Sequence, residues 1–555
     1  MSLRPRPAGE VPESTVRVAR AAFPKGCLAM RVRDELGPLF EDEQFAEVFP
    51  ARGGPGLSPG MLALVSVLQF AEGLSDRQAA DAVRGRIDWK YGLALELTDP
   101  GFDFSVLSEF RDRLIRGGIE HRMLETVLER CSRLGLLRAG GRQRTDSTHI
   151  LAAVRTLNRM EFVGETLRCA LEALAAAAPD WLAERISSDV VKRYGARVDA
   201  YRFPTGADAR TRWAQAVGAD GFALLEAIYA PTAPAWLQQI PAVQILRVAW
   251  VQQYHRDDKG VRWREAGDLP PGRARLSSPY DPDAHYGVKR GSGWCGYKVH
   301  LSETCDEEGP HLITHVATTN ACTGDIEMTP LVHTALERRG LLPGEHVVDA
   351  GYISAALIVS AQSAYDVDLL GPVGADTTGQ IRTQAGVAQE DFTVDWDGHR
   401  VICPRGAISI SWSDQRKSNG TAITQVRFSG TDCDPCPIRG QCTRSAGGTY
   451  GRTLTLLTRP LQQVLDARRR EQQTQEWKDR YAIRAGIEAT ISQAVRGTAI
   501  RRTRYLGLPK TALGHVFTAT AINLIRLDAW WTGTPRGPTR VSHLTRLATD
   551  LGLAA

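Results

Sequence analysis

Residues 345–351 read Glu345-His346-Val347-Val348-Asp349-Ala350-Gly351. A short apolar run ends on a carboxylate and a glycine closes it, which predicts a buried strand with an acid at its carboxyl end. The neighbours agree with a sheet. Asp325 to Arg339 has a helical period and stops at Gly340, Ser354 to Ser363 reads as another helix, and Val367 to Leu370 as another strand. Upstream, GYKVHLS (Gly296 to Ser302) alternates and HLITHVATT (His311 to Thr319) is a further β-type run. GRQRTDSTHI (Gly141 to Ile150) is strand-like and sets Asp146 between Thr145 and Ser147. Strand and helix periods alternating in this way predict an α/β sheet with crossover helices.

The rest of the chain is organised around that core. Residues 1–140 read as an all-α N-terminal domain. Ser58-Pro59 is a helix start, with Ser as cap and Pro in the first turn, and a strongly apolar helix follows to Gly73. Ser75 caps the next helix, and the pair resembles a helix-turn-helix, a weak signal by itself because many all-α cores contain such pairs. Within 141–374, residues 151–275 form a helical insertion. Residues 375–460 shift to Gly, Thr and Ser with short strands (FTVDW, HRVIC, ISISW, TQVRF, TLTLL), a β-rich insertion. A helical period returns over 461–555.

Composition narrows the function classes. The chain has 555 residues, 43% hydrophobic and 24% charged, which are ordinary globular values. No apolar run reaches the roughly 18 residues of a membrane span, and the polar, Pro-rich Met1 to Ser14 does not read as an export signal. A cytoplasmic, reducing compartment is therefore expected, with the ten cysteines as thiols or metal ligands. No P-loop or dinucleotide glycine motif is present, so ATP and NAD are not supported. The net charge is only +5, yet Leu461 to Lys510 carries eleven basic and five acidic residues. That local excess suits a polyanion, although a solvated helix face would look the same.

Three acids stand out by position. Asp146 lies inside a strand, where a charge is costly without a partner. Asp349 sits at a strand's carboxyl end, where sites gather in open α/β sheets. Glu488 falls on one helical stripe with Tyr481, Arg484 and Ser492. A stabilising surface pair is a weak account of Arg484 and Glu488, because Arg-then-Glu is the poorer order at i,i+4. Two strand carboxylates and one from a packed helix would hold two Mg²⁺ or Mn²⁺ ions, the arrangement that activates a water or 3′-hydroxyl against a phosphodiester.

The stretch Tyr481-x-x-Arg484-x-x-x-Glu488 resembles the Y-(2)-R-(3)-E signature of bacterial insertion-sequence DDE transposases. TDSTHI and HVVDAGY resemble the neighbourhoods of the two aspartates in that family, whose RNase H-like domain carries the first Asp on the first strand and the second after the fourth. SPYDPDAHYGVKR, GYKVH, RYLGLPK and HVFTATAINLIRL add further matches, and the Cys-containing β insertion matches one branch. One departure is that a Lys often stands seven residues after the Glu, where this chain has Val495 followed by Arg496. The resemblance implies an α/β RNase H-like catalytic core and a catalytic, metal-binding triad of Asp146, Asp349 and Glu488. It implies metal-dependent strand cleavage and strand transfer at terminal inverted repeats. The expected partners are the terminal-repeat and target duplexes, with a homodimer bringing two ends together, nucleoid-associated and without a membrane. Tyr481, Arg484, Arg496, Arg501, Arg502, Arg504 and Lys298 are the candidate DNA contacts. The competing readings are a catalytically inactive or domesticated DNA-binding relative acting as a repressor, and a general RNase H-like nuclease.

Other motifs are weaker. Cys433-x-x-Cys436, then Cys442, with Cys403 upstream, suit a structural Cys₄ zinc site. Unliganded thiols, disulfides and an iron–sulfur cluster are the alternatives. His285, His300 and His315 share no ligand spacing and read as polar groups of the sheet. Lys289 and Arg290 are further candidate phosphate contacts. Trp396 and Trp412 read as packing of the β insertion, with base stacking as the alternative.

Overall fold

The structure is a computed structural model that describes residues 2–553 except 4, 6–8, 51, 55, 200–202, 259, 290, 375–385, 445–447, 499, 536–541 and 552. Arg290 and the beginning of the β-rich insertion thus lie outside the described residues.

The central sheet has six strands. The long first strand β1 (Arg142–Leu151) pairs antiparallel with β5 (Ser292–Thr304), with Asp146 opposite Leu301. The far edge of β5 is shared end to end by β4 (His285–Lys289) and β6 (Ile313–Asn320), both antiparallel. On its other side β1 pairs in parallel with β7 (Glu345–Val348), and β7 with β8 (Asp368–Leu370). The parallel pairs need crossovers. These are α13 (Met328–Arg338) before β7 and α14 (Ala355–Tyr365) after it.

Seven helices precede the sheet: α1 (Glu13–Ala22), α2 (Leu28–Leu36), α3 (Pro59–Ala71), α4 (Asp76–Gly85), α5 (Ile87–Gly92), α6 (Ser105–Gly117) and α7 (Arg122–Arg133). Ser58 Oγ accepts from Met61 N at the start of α3 and Ser75 caps α4, as their sequence positions predict, and Gln78 completes a capping box with Ser75. This bundle is not packed separately from the sheet. One apolar core joins Leu62, Val67 and Phe110 of the bundle to Val299, Leu301 and Ile313 of the sheet. The connector is α20 (Leu508–Trp531), whose residues Leu513 to Leu524 are buried without interruption between the two layers.

Two segments have cores of their own. The first holds α8 (Arg159–Ala177), α9 (Pro179–Ala183), α10 (Ser188–Tyr194), α11 (Ala207–Tyr229) and α12 (Pro241–Gln253), closed around Trp250 and Tyr254. It also contains a hairpin, β2 (Tyr254–Asp257) and β3 (Gly260–Trp263), where the sequence reads as helical throughout. Tyr254 and Trp263 pair across it in edge contact, so aromatic cross-strand packing stabilises a turn too short to register as strands. The second is β-rich: β9 (Thr393–Asp395), β10 (Arg400–Ile402), β11 (Ser411–Arg416), β12 (Ala422–Ser429) and β13 (Tyr450–Leu457), with the short helices α15 (Gly430–Cys433) and α16 (Arg439–Cys442). The ISISW strand begins only at Ser411; Ile408 makes a single bridge to Ile402.

The late helical stretch is broken into α17 (Arg459–Glu471), α18 (Gln475–Ala482), a 3₁₀ turn (Ile483–Ala485) and α19 (Gly486–Gly497). Tyr481, Arg484 and Glu488 therefore sit on three consecutive pieces rather than one continuous stripe. At the break, Arg144 of β1 donates Nη1 to the carbonyl of Ile483, 2.5 Å away.

Candidate active site

Asp146 lies on β1 and Asp349 directly follows the adjacent strand β7, on the same face of the sheet. Thr145 is in register with Val348, and the residue after each is an aspartate. Each aspartate is fixed by one oxygen. Asp146 Oδ1 accepts from the backbone N–H of Ser147 at 2.7 Å, and Asp349 Oδ1 from that of Gly351 at 2.8 Å. The second oxygen of each faces the α18–α19 break. There Arg484 Nη2 donates to Asp146 Oδ2 at 2.7 Å and lies 3.8 Å from Asp349 Oδ2, while its Nη1 lies 3.4 Å from Glu488 Oε1. One guanidinium thus touches all three carboxylates.

Burial grades across this cluster. The Asp146 side chain is 9% exposed, that of Asp349 31% and that of Glu488 68%. Burial pushes the Asp146 carboxyl above the ordinary aspartate range and the nearby Asp349 charge adds to this, with Arg484 and the Ser147 N–H opposing. Burial alone would lower the Arg484 guanidinium, but the Asp146, Asp349 and Glu488 charges outweigh it and its pKa is raised. Tyr481 is raised mainly by burial. It stacks on Trp477 at 4.7 Å between centroids and packs with Val347 and Leu370, beside the strand that ends at Asp349.

Two sets of contacts hold the site in register. The first anchors α19. Fully buried Glu303 of β5 accepts from Arg144 Nη2 at 2.6 Å, from Thr490 Oγ1 at 2.5 Å and from Arg526 Nη1 at 2.7 Å, tying β1, β5, α19 and α20 together. Gly486 lies directly over the Arg144 guanidinium, where an added Cβ would come within 2.0 Å of Nη1. The second set pins the turn after Asp349: the Tyr352 hydroxyl is 2.6 Å from His300 Nδ1, and Thr329 Oγ1 donates to the Tyr352 carbonyl at 2.7 Å. Sequence reasoning passed over Arg144, Glu303, Thr490, Tyr352 and Asp325. A buried Arg between strand residues and the Tyr of DAGY were the available signals.

The other candidates are dispersed. Lys298 is not free: Nζ donates to the Thr323 carbonyl at 2.7 Å and pairs with Asp325 at 3.1 Å, with each side chain 16% exposed. Arg504 turns away from the carboxylates, donates to the Leu74 carbonyl at 2.8 Å and lies over the Phe70 ring. Arg501 Nη1 is 2.8 Å from His149 Nε2. Residues 501–503 run beside the end of β1, with Leu151 N–H donating to the Arg501 carbonyl. Arg502 and Arg496 are exposed and have no ion pair among the described residues. Much of the basic stretch is paired internally: Arg468 and Arg480 with Asp368, Arg480 also with Glu345, and Lys510 with Asp112.

The donor chemistry at Asp146, Asp349 and Glu488 fits hard divalent cations, since all three are carboxylates, and here they gather around the Arg484 guanidinium. Cys403, Cys433, Cys436 and Cys442 line one cavity of about 490 Å³ in the β-rich segment, and all four are free thiols. Among the described residues no group of three or more His, Cys, Asp or Glu side chains is placed to hold a metal ion, neither the three carboxylates paired with Arg484 nor the four thiols. As positioned, the four sulfurs do not form a zinc ligand set. His300 and His315 are buried in the hydrogen-bonded sheet, and His285 lies 3.3 Å from the Gly272 carbonyl. Trp396 and Trp412 meet edge to face and pack in the β-rich core. No described helix is long and apolar enough to cross a membrane.

Comparison with known families assigns the class. The family model of a transposase DDE domain matches residues 402–528, which include Glu488, α19 and most of α20, and that of a transposase domain (DUF772) matches residues 18–113, most of the N-terminal bundle. Both describe enzymes of DNA transposition. The two matches indicate an insertion-sequence DDE transposase, and DDE transposases generally use divalent metals. No curated protein matches it.

Proposed function

We propose that this chain binds the terminal inverted repeats of its own element and catalyses strand cleavage and strand transfer there, with Asp146, Asp349 and Glu488 as the ligands of two Mg²⁺ or Mn²⁺ ions. The observation that carries the reading is the approach of three carboxylates, from β1, from the turn after β7 and from α19, to one guanidinium. The RNase H-like reading is supported by where the aspartates fall. Asp146 is on the first strand of the sheet. Asp349 follows the fourth, if the short edge strand β4 is counted with its hairpin partner β5.

When bound, the metal pair supplies a deprotonated water or 3′-hydroxyl and charge stabilisation for the leaving oxygen. This chain's residues supply position. Backbone N–H groups of Ser147 and Gly351 orient the two aspartates, and the Glu303 network holds α19 so that Glu488 overhangs them. Arg484 supplies a guanidinium that can make paired, charge-assisted bonds to phosphate. Arg496 and Arg502, both exposed, extend the phosphate-contacting surface, with Arg501 beside them. Lys298 and Arg504 serve internal contacts instead. Bringing two element ends together calls for a homodimer, and the substrates are the end duplexes and target DNA.

The test uses duplexes carrying the terminal repeats that flank the gene. Asp349→Asn and Glu488→Gln should abolish metal-dependent cleavage while end binding persists. Cleavage by Asp349→Asn at near wild-type rate overturns the assignment. Binding without any cleavage by the unaltered chain would favour the repressor reading, and cleavage indifferent to the end sequence the general nuclease.

A further inference from the structure

The guanidinium of Arg484 and a divalent cation need the same oxygens. Arg484 reaches Asp146 Oδ2, Asp349 Oδ2 and Glu488 Oε1 with its two Nη atoms alone. For the two aspartates, those are the oxygens left over once the backbone N–H groups of Ser147 and Gly351 have taken the others. A cation entering among them would meet a fixed positive charge at contact distance. Guanidinium and cation therefore exclude one another at this point, by charge and by occupancy of the lone pairs.

The side chain is also incompletely satisfied where it is. Arg484 Nε is buried and has no hydrogen-bond partner among the described atoms. A guanidinium presents a fork of donors, and a carboxylate or phosphate that takes Nε together with one Nη satisfies two at once. No carboxylate of the site does so: both contacts to the aspartates run through Nη2 and that to Glu488 through Nη1. A phosphate oxygen pair approaching the Nε edge would make better use of the fork. Arg484 itself sits on a 3₁₀ turn between two helices rather than inside one, and its side chain is 18% exposed, so an outward swing needs no helix to open.

We propose that Arg484 is an exchange residue that couples DNA binding to metal loading: it neutralises the three carboxylates until a DNA phosphate draws its guanidinium away, and only then do the oxygens become available to divalent cations. The inference rests on the assignment of Asp146, Asp349 and Glu488 as the metal ligands. It makes premature metal loading, and with it cleavage away from a seated duplex, unfavourable by design of a single side chain. Linkage requires the converse as well, so that metal should tighten DNA binding by the same factor.

The test is Mn²⁺ binding to the full chain by titration calorimetry, which does not depend on turnover. Without DNA, Arg484→Gln should bind Mn²⁺ roughly tenfold or more tightly than the unaltered chain, a typical size for coupling between sites. Arg484→Lys, which keeps the charge, should stay near the unaltered value. A random-sequence duplex should tighten Mn²⁺ binding by the unaltered chain and leave Arg484→Gln unchanged. Equal Mn²⁺ affinity of Arg484→Gln and the unaltered chain overturns the proposal, as does a duplex that tightens both alike or neither. Asp146→Asn in the Arg484→Gln background separates this failure from that of the metal assignment. If it leaves tight Mn²⁺ binding intact, the carboxylates are not the ligands; if it abolishes that binding while the exchange arms fail, only the exchange is wrong.

Discussion

Basic residues that look alike in the sequence have quite different surroundings, and those surroundings decide what each contributes. Arg502 is exposed and carries no ion pair among the described residues, whereas Lys298 is held between the Thr323 carbonyl and Asp325. A phosphate contact releases counterions, so losing one lowers the salt slope of DNA binding by about 0.9. Arg502→Glu is therefore expected to weaken duplex binding and flatten its salt dependence. Lys298→Met should leave both nearly unchanged and instead slow cleavage, because unpaired Asp325 stands near Asp349: an atom added at Gly351 would be 3.0 Å from Asp349 Oδ1 and 3.4 Å from Asp325 Oδ2. Binding isotherms at several salt concentrations check both, and a flattened slope for Lys298→Met would return it to the DNA surface. This is also where the sequence was least legible. The triad candidates announce themselves by strand-end position and by spacing, which are local properties. Which basic residue faces solvent depends on acids such as Asp368, Glu345 and Asp112 that lie about a hundred or more residues away. For the same reason the CxxC spacing pointed to a zinc site, yet the four thiols that share a cavity are not arranged as ligands.

At the scale of elements, the decisive relation is between β1 and α19, which carry Asp146 and Glu488. Strands and helices of the core were legible from their periods, because alternation and 3.6-residue spacing are written in consecutive residues. The break between α18 and α19 was not. It depends on Arg144 reaching the Ile483 carbonyl and on Gly486 lying against that guanidinium, a contact between residues over three hundred positions apart. Gly486→Ala makes the relation measurable. Alanine normally favours a helix by up to about 1 kcal/mol over glycine. Here its methyl would displace a guanidinium that is paired with fully buried Glu303, and breaking a buried ion pair costs roughly 3–5 kcal/mol. Gly486→Ala should therefore destabilise the chain despite its better propensity, and it should cut cleavage more than end binding. A denaturant midpoint at or above that of the unaltered chain would show that the Arg144 side chain simply moves aside.

The whole molecule is one stack, bundle on α20 on sheet on crossover helices, and buried histidines join its layers. His515 of α20 is 2.7 Å from Thr318 of β6; His315 of β6 stacks on His121, which precedes α7, and takes a contact from Arg339. His333 of α13 meets His346 of β7 at 2.8 Å, and His346 continues to Thr145, beside Asp146. His300 of β5 holds Tyr352. Burial lowers all of them: His300 and His333 to about 4, His515 to about 3, and His315 and His346 well below their ordinary value, the last two also disfavoured by Arg339 or neighbouring imidazoles. A histidine whose folded pKa is depressed below its unfolded value of roughly 6.5 contributes its full stability above that value and loses it as the pH falls toward the folded pKa. At pH 5 each of His300, His333 and His515 should cost on the order of 2 kcal/mol relative to pH 7.5, before most carboxylates have begun to protonate. Several such terms together are comparable with the roughly 5–15 kcal/mol that separates folded from unfolded domains. The expected outcome is a steep fall in the denaturant midpoint between pH 6.5 and 5, with loss of the bundle–sheet interface and of the Asp349 turn in the same step. His515→Gln keeps a hydrogen bond to Thr318 without a titrating group, so it should flatten part of that fall. A midpoint constant from pH 7.5 to 5, or a His515→Gln profile as steep as that of the unaltered chain, would mean that the imidazoles reach solvent as they protonate and that acid acts on this fold elsewhere.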